Sequence, residues 1–507
     1  MSATNAALQY PPASAGRASR AGSARLLRLE LHHSAILWMA PILGALFYFT
    51  TYRSVIALPA LWDLRATTAL RDGVVAFAPF VAGAAAWMGS RDGRRGTTEI
   101  MAATARSRWS AQLANWAATT AWATATYLIC IGVIYGVTAG QATWGGPPLW
   151  PVAVGASAVA AFAAVGFAAG TVLPSRFTAP LAAAIALLVV EAPGKIQFAS
   201  TPFIHHFTSS RYPLLIPTSH QPLPYDAGVF FRFSPGVETL QAILLAGLAV
   251  TALAALGLPA GAGGARSRRA AVMLTLLGLA GMSTAVALVG TARLTTHGVE
   301  IPALGSKADD QPIAYTPACS HTAARPVCVH PAFKPYLSQI TAALTPLLHE
   351  IAGLPGAPLR AAQIADLGTH AETSLCYYTT HSTAGIGGGI GGSLSGTPPV
   401  FRFSVVQLPG TYGLSAGFFA GEAQLTLVQA LTGGCGRDPA QQAIRGALLK
   451  AAGLSLAPVV QSNGGLPASA YAAAVRFASL PPATRHAWLQ THLVALAAGR
   501  LTTTQIP

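Results

Sequence analysis

The residues with the strongest claim to chemistry lie late in the chain. The stretch LLHEIAG sets His349 beside Glu350, the start of a His-Glu-x-x-His pattern. In such a helix two histidines share one face and hold zinc while the glutamate activates water. Position 353 is Gly, so the second ligand is missing, and His349 reads as a surface or satisfied helix residue. Six further histidines fall in the same region (His297, His321, His330, His370, His381 and His486), and His492 follows them, with no metal spacing and no serine nucleophile arrangement. A phosphate cradle, G-x-x-x-x-G-K-[ST], is also missing. GAGGARSRR has glycines without the following Lys, ALGSK lacks the first glycine, and GIGGGIGGSLSG at 385–396 reads as a flexible loop. This chain therefore carries no nucleotide site or cofactor of its own.

The elements around these residues explain their setting. Only 9% of residues are charged and 52% are hydrophobic, against roughly 25% charged in soluble domains. A net charge of +15 suggests nucleic acid, yet the arginines punctuate apolar runs and do not cluster on a soluble face, so nucleic acid is not the partner. A transmembrane helix needs about 20 apolar residues. Seven stretches approach this: 34–52, 73–90, 115–139, 151–173, 178–193, 238–258 and 270–292, the fifth being the weakest. No short apolar region with a cleavage site precedes them. Small-residue runs such as AATTAWATATY and GASAVAAFAAVGFAAG read as helix-packing faces. Glu191, near an end of the fifth stretch, is either a carboxylate reaching the surface or a pathway residue.

Orientation follows the Lys and Arg content of the loops. One set of alternate loops holds thirteen basic residues: Arg17, Arg20, Arg25 and Arg28; Arg91, Arg94, Arg95, Arg106 and Arg108; Arg176; Arg266, Arg268 and Arg269. Its acidic residues are three, Glu30, Asp92 and Glu99. The intervening loops balance Arg53, Arg65, Arg71, Lys195, Arg211 and Arg232 against Asp63, Asp72, Glu191, Asp226 and Glu238. This asymmetry predicts a cytoplasmic N-terminus and, after seven spans, an extracytoplasmic region from about residue 293. Four cysteines, Cys319, Cys328, Cys376 and Cys435, fall in that region, and an even number in an exported domain reads as disulfides. The short loop favours Cys319 with Cys328, leaving Cys376 with Cys435.

Between the second and third spans, TTEIMAATARSRWSAQLANW carries a cappable start and an apolar stripe, Ile100, Met101, Ala105 and Trp109. A short amphipathic helix there would lie at lipid headgroups or fit a groove on a partner. The segment EIMAATARSR resembles the cytoplasmic loop of ABC-2 type exporter permeases, and SARLLRLELHHSAILWMAPILGALFYFT resembles their basic interfacial helix. The likeness covers roughly residues 23–258. It implies a coupling helix using Glu99, Ile100, Met101, Arg106, Arg108 and Trp109, docked on a separate cytoplasmic ABC ATPase that binds the ATP. It further implies a homodimer or heterodimer of permease chains among membrane lipids.

The expected fold is an α-helical integral membrane protein. A leader with an interfacial helix (1–33) precedes a six-span ABC-2-like bundle (34–258). A turn and seventh span follow (259–292), then a mainly helical α+β extracytoplasmic domain with disulfides (293–507). The long loop at about 194–237, rich in Pro and aromatics, is either a cap over a pathway or an interfacial loop. The expected function is the permease subunit of an exporter in the cell membrane, not itself an enzyme. The alternative is a membrane-anchored extracytoplasmic enzyme or receptor, with a degenerate peptidase-like domain.

Overall fold

The computed structural model describes residues 25–96, 108–198, 211–218, 228–232, 234–259, 265–295, 298–306, 311–320, 325–365, 392–395, 399–403, 416–433, 438–456 and 466–507. The chain is mostly helical, and among the described residues six helices are long and apolar enough to cross a membrane. They are α1 (Ala35–Ala57), α2 (Trp62–Gly89), α3 (Arg108–Gln141), α4 (Trp150–Val172), α6 (Gly236–Ala255) and α7 (Ala265–Val289). The fifth expected span falls in α5 (Thr178–Phe198). Its apolar part, Thr178–Ala192, is shorter than the other six, because Glu191 and Pro193 end the run.

Two helices outgrow their sequence-predicted bounds. α2 begins at Trp62, so Arg65, Arg71 and Asp72 lie on the helix where a loop was expected. No breaker separates them from the apolar run, and burial of Arg65 rewards the extension. α3 has 34 residues, about 50 Å at 1.5 Å each, and so extends beyond a hydrocarbon core of about 30 Å.

α2 is the hub of the bundle, and its central window is the most buried of the six. Without a hydrophobic drive between helices in lipid, close approach depends on small residues. Gly166 and Gly170 of α4 lie directly on the carbonyls of Ala82 and Ala86 of α2, where any Cβ would collide. Gly247 of α6 and Gly278 of α7 make the same kind of seam, a Cβ on either falling 2.7 Å from the other's carbonyl oxygen. The packing role read from the small-residue run of α4 is thus met. Large apolar side chains such as Met273, Leu277, Leu188 and Ile129 point outward.

After α7 a small hairpin pairs β1 (Arg293–Thr295) with β2 (Gly298–Glu300). A five-stranded sheet follows in the order β3-β4-β5-β7-β6. It is built from β3 (Ala318–Cys319), β4 (Val327–Val329), β5 (Arg360–Gln363), β6 (Gly392–Ser395) and β7 (Val400–Phe403). The three central strands are parallel and the two edges antiparallel. Helix α8 (Leu337–Glu350) crosses between β4 and β5, as a parallel pair requires. Helices α9 (Ala416–Leu431), α10 (Pro439–Ala451), α11 (Ala468–Ser479) and α12 (Pro482–Ala497) complete the region. α10 starts where its sequence says: the Asp438 carboxylate accepts from the Ala440 and Gln441 amides, with Pro439 in the first turn. Gly353, at φ 84°, ends the α8 segment.

The core of this C-terminal region does not stop at the region's boundary. Phe333, Leu344, Phe401 and Leu448 belong to one buried cluster with Leu61, Val229 and Phe230, which come from the connections between membrane helices.

Candidate functional site

The membrane helices have two unlike ends. One, marked by Gly89, Arg108 and Arg266, is rich in arginine; the other meets the C-terminal region. At the arginine-rich end, residues 25–32 form a leader helix. Arg91 grips Glu30 of that helix with two nitrogens, at 3.2 and 3.0 Å, a bidentate charge-assisted pair. The Trp122 indole donates to the Leu31 carbonyl at 2.9 Å, so α3 holds the same leader. Arg94 stacks its guanidinium 3.5 Å from the Trp87 ring centre. Trp109, in the first turn of α3, donates to the Leu253 carbonyl of α6 at 2.9 Å, and its ring rests against Gly257.

These contacts frame the expected coupling segment. The chain leaves at Gly96, whose φ of +66° suits glycine, and returns at Arg108. Arg108 is exposed and Trp109 is anchored to α6. Glu99, Ile100, Met101 and Arg106 lie outside the described residues. The residues that flank this stretch are thus fastened, Arg91 to the leader and Trp109 to α6.

The junction end is organised around Arg65, which is buried. Its Nε and Nη2 donate to the Leu58 carbonyl at 3.2 and 2.7 Å, and Nη2 also reaches the Ile56 carbonyl at 3.1 Å. Nη1 donates to Gln141 Oε1 at 2.7 Å and to Thr138 Oγ1 at 3.3 Å. One guanidinium thus satisfies carbonyls left over at the end of α1 and ties them to α2 and α3. Just beyond, the Thr143 hydroxyl donates to the Pro331 carbonyl at 2.7 Å. Ile313 N donates to the Phe230 carbonyl at 2.7 Å.

His330 sits at the centre of this junction, fully buried. Its ring lies 4.9 Å from Trp144, 4.8 Å from Phe230 and 4.2 Å from Tyr315, centre to centre. Its Nδ1 accepts from the Ala332 amide at 3.1 Å, capping the turn that leads into α8. Its own amide donates to Gln363 Oε1. Burial among rings pushes its pKa down to about 4, so the imidazole is neutral at pH 7. Nothing in the sequence singled out His330 from the other histidines, since the rings that enclose it come from three separate stretches.

The remaining candidates resolve into structural parts. Cys319 and Cys328 are disulfide-bonded across the β3–β4 pair, as their spacing suggested. Cys376 and Cys435 lie outside the described residues. Glu350 is engaged by Arg485 through Nε at 3.1 Å and Nη2 at 2.6 Å, and its carbonyl meets His486 Nε2 at 2.7 Å. It joins α8 to α12 and is not a free base. His349 lines an open groove of about 1060 Å³ with Lys334, Ser338 and Thr341. Among the described residues no three His, Cys, Asp or Glu side chains come together as metal ligands. Arg445, buried and unremarked in the sequence, donates to Thr432 Oγ1 at 2.8 Å and to Gln441 Oε1 at 3.2 Å. Burial lowers its pKa to about 10, leaving it charged. No known protein family, no curated protein and no solved structure matches this chain.

Proposed function

We propose that the chain is the permease subunit of an ABC-2 type exporter, energised by a separate cytoplasmic ATPase. In this reading the arginine-rich end is cytoplasmic, α5 completes seven spans, and the C-terminal region lies outside the cell membrane. The observation that carries the proposal is the fastening of the residues on either side of 97–107. A displacement applied there by a partner would pass through Arg91–Glu30 to the leader and α2, and through Trp109 to α3 and α6. Those elements reach both sides of the hub helix, and a drive from below needs such a linkage. An anchor for an external domain needs neither six long helices nor such fastened flanks around a basic loop. Two permease chains, alike or different, would share the ATPase pair.

Replacing Ile100 and Met101 by Asp attacks the apolar fit to the ATPase without altering the arginine pattern that orients the chain. The double variant is expected to insert normally, to lose copurification with its ATPase, and to lose transport-stimulated hydrolysis. Retention of both at the wild-type level would leave the loop as an orienting signal and overturn the exporter reading.

A further inference from the structure

Two turns at the arginine-rich end touch, and both carry arginine. Gly93, in the single helical turn that follows α2, lies against Pro174, in the turn between α4 and α5. A Cβ at position 93 would fall 2.5 Å from the Pro174 Cβ. Arg94 and Arg95 follow Gly93 directly, and Arg176 follows Pro174 by two residues, so this contact brings their backbones together. Arg91, just before, is already engaged by Glu30 at 3.0 Å and Asp92 at 3.6 Å. Among the described residues neither Arg94, Arg95 nor Arg176 pairs with a carboxylate.

Two of these arginines are mounted on exposed rings. The Arg94 guanidinium carbon lies 3.5 Å from the Trp87 ring centre, and Nη2 donates to the Trp87 carbonyl at 3.1 Å. Its Nη1 has no hydrogen-bond partner among the described residues. The Arg176 guanidinium carbon lies 5.3 Å from the Phe177 ring centre. The turn that bears Arg176 is fixed locally. Ser175 Oγ accepts from the Phe177 amide at 3.2 Å, and the Thr178 hydroxyl donates to the Leu173 carbonyl at 2.6 Å. Trp87 is 46% exposed and Phe177 68%, and the apolar surface continues through Leu181, one turn along α5 from Phe177. Exposed rings and aliphatic chains at the end of a membrane helix suit the boundary between headgroups and hydrocarbon. Guanidiniums stacked there stand at headgroup level, and their forked N–H donors match phosphate oxygens. α5 begins at the same turn, so the positive end of its dipole adds to the attraction for an anion.

We propose that Arg94, Arg95 and Arg176 form a site for the phosphate of an anionic phospholipid, with its acyl chains beside Phe177 and Leu181. A choline headgroup would bring a quaternary ammonium among three cations, so a phosphodiester without an amine is preferred. The bound lipid would tie the end of the hub helix α2 to the start of α5. The site requires only that the helices lie in a membrane and does not depend on the exporter reading.

The test uses the full chain in a nonionic detergent, titrated with dioctanoyl phosphatidylglycerol, dioctanoyl phosphatidylcholine or inorganic phosphate, with binding read by native mass spectrometry. The glycerol lipid is expected to bind at least tenfold more tightly than the choline lipid, and a large excess of inorganic phosphate should not displace it. Replacing Arg94 and Arg176 together by Gln should weaken the glycerol lipid at least tenfold. Replacing Arg266 and Arg268 by Gln, exposed arginines of the same end, should change its affinity less than twofold. Trp87→Leu keeps every charge but removes the stack, and should weaken binding at least threefold; it decides the matter if the double variant misfolds. Equal affinity for the two lipids, or displacement by phosphate alone, would overturn the lipid site. So would equal losses in the two arginine pairs, or unchanged binding in Trp87→Leu. An Arg94→Gln, Arg176→Gln chain that binds lipid normally but no longer copurifies with an ATPase would assign these arginines to a protein partner instead.

Discussion

The two ends of the helical bundle hold together by different chemistry. Among the described residues the arginine-rich end is fastened by partly exposed contacts that include a bidentate ion pair, a stacked guanidinium and two indole hydrogen bonds. At the junction end a buried arginine feeds backbone carbonyls, aromatic rings enclose a histidine, and one apolar core runs from membrane connections into the C-terminal region. Partly exposed charge contacts are individually weak, and they can break and re-form. Buried hydrogen-bonded arginine and packed aromatics cannot be rearranged cheaply. The difference leaves the contacts of one end open to rearrangement and holds the other end rigid.

The largest test of that contrast is Arg65→Ala. It would orphan the Ile56 and Leu58 carbonyls and leave Gln141 unanswered, so a loss of about 3–5 kcal/mol is expected. Thermal melting of the purified protein measures it. A melting curve within a degree of wild type would show that the junction end is no firmer than the other.

Acidification offers a smaller perturbation of the same end. His330 has a pKa near 4 when folded and about 6.5 when unfolded. Between these values the unfolded chain binds a proton that the folded chain refuses, so stability is whole above about pH 6.5 and declines as pH falls toward 4. The decline attributable to this residue is on the order of 2–3 kcal/mol. In His330→Asn, the amide oxygen can still cap Ala332 but does not titrate. Its melting temperature should fall less steeply over that interval than the wild-type curve; parallel curves would remove His330 from the junction's acid response.

Arg91→Ala should cost least, about 1 kcal/mol, because both partners retain contact with water. Its effect should instead be local. Limited proteolysis within residues 25–33 should quicken several-fold while the melting temperature barely moves. A large drop in melting temperature would erase the contrast between the two ends.

Much of this architecture was readable beforehand. Apolar run length announced the membrane helices, and Asp438-Pro439 and Gly353 are helix ends set by local backbone chemistry. The short Cys319–Cys328 spacing anticipated a bridge. The strands β1 to β6 were not legible, since runs of two to four residues carry too little alternation to register. The start of α2 was missed because hydropathy counts Arg65, Arg71 and Asp72 as loop residues, whereas hydrogen bonding decides whether a helix continues through them. The AATTAWATATY run was read as packing alone. Its threonines are alike in sequence, and only the folded chain separates Thr119, bonded to its own helix, from Thr120, which is not.

What the sequence determined by itself is what depends on neighbours along the chain: helix length, capping, the alternation of arginine between apolar runs, and the absence of a phosphate cradle. Tertiary structure alone decided what depends on distant partners. Arg65 became a buried clasp because α1 and α3 end beside it. Glu350 was taken out of contention as a base because Arg485, 135 residues away, closes on it. His330 stands apart from the other histidines because Trp144, Phe230 and Tyr315 converge on it from separate segments. Apolar periodicity records which side of a helix is greasy, but not which other helix will lie against it, and the chemistry of a buried polar group is set by that second fact.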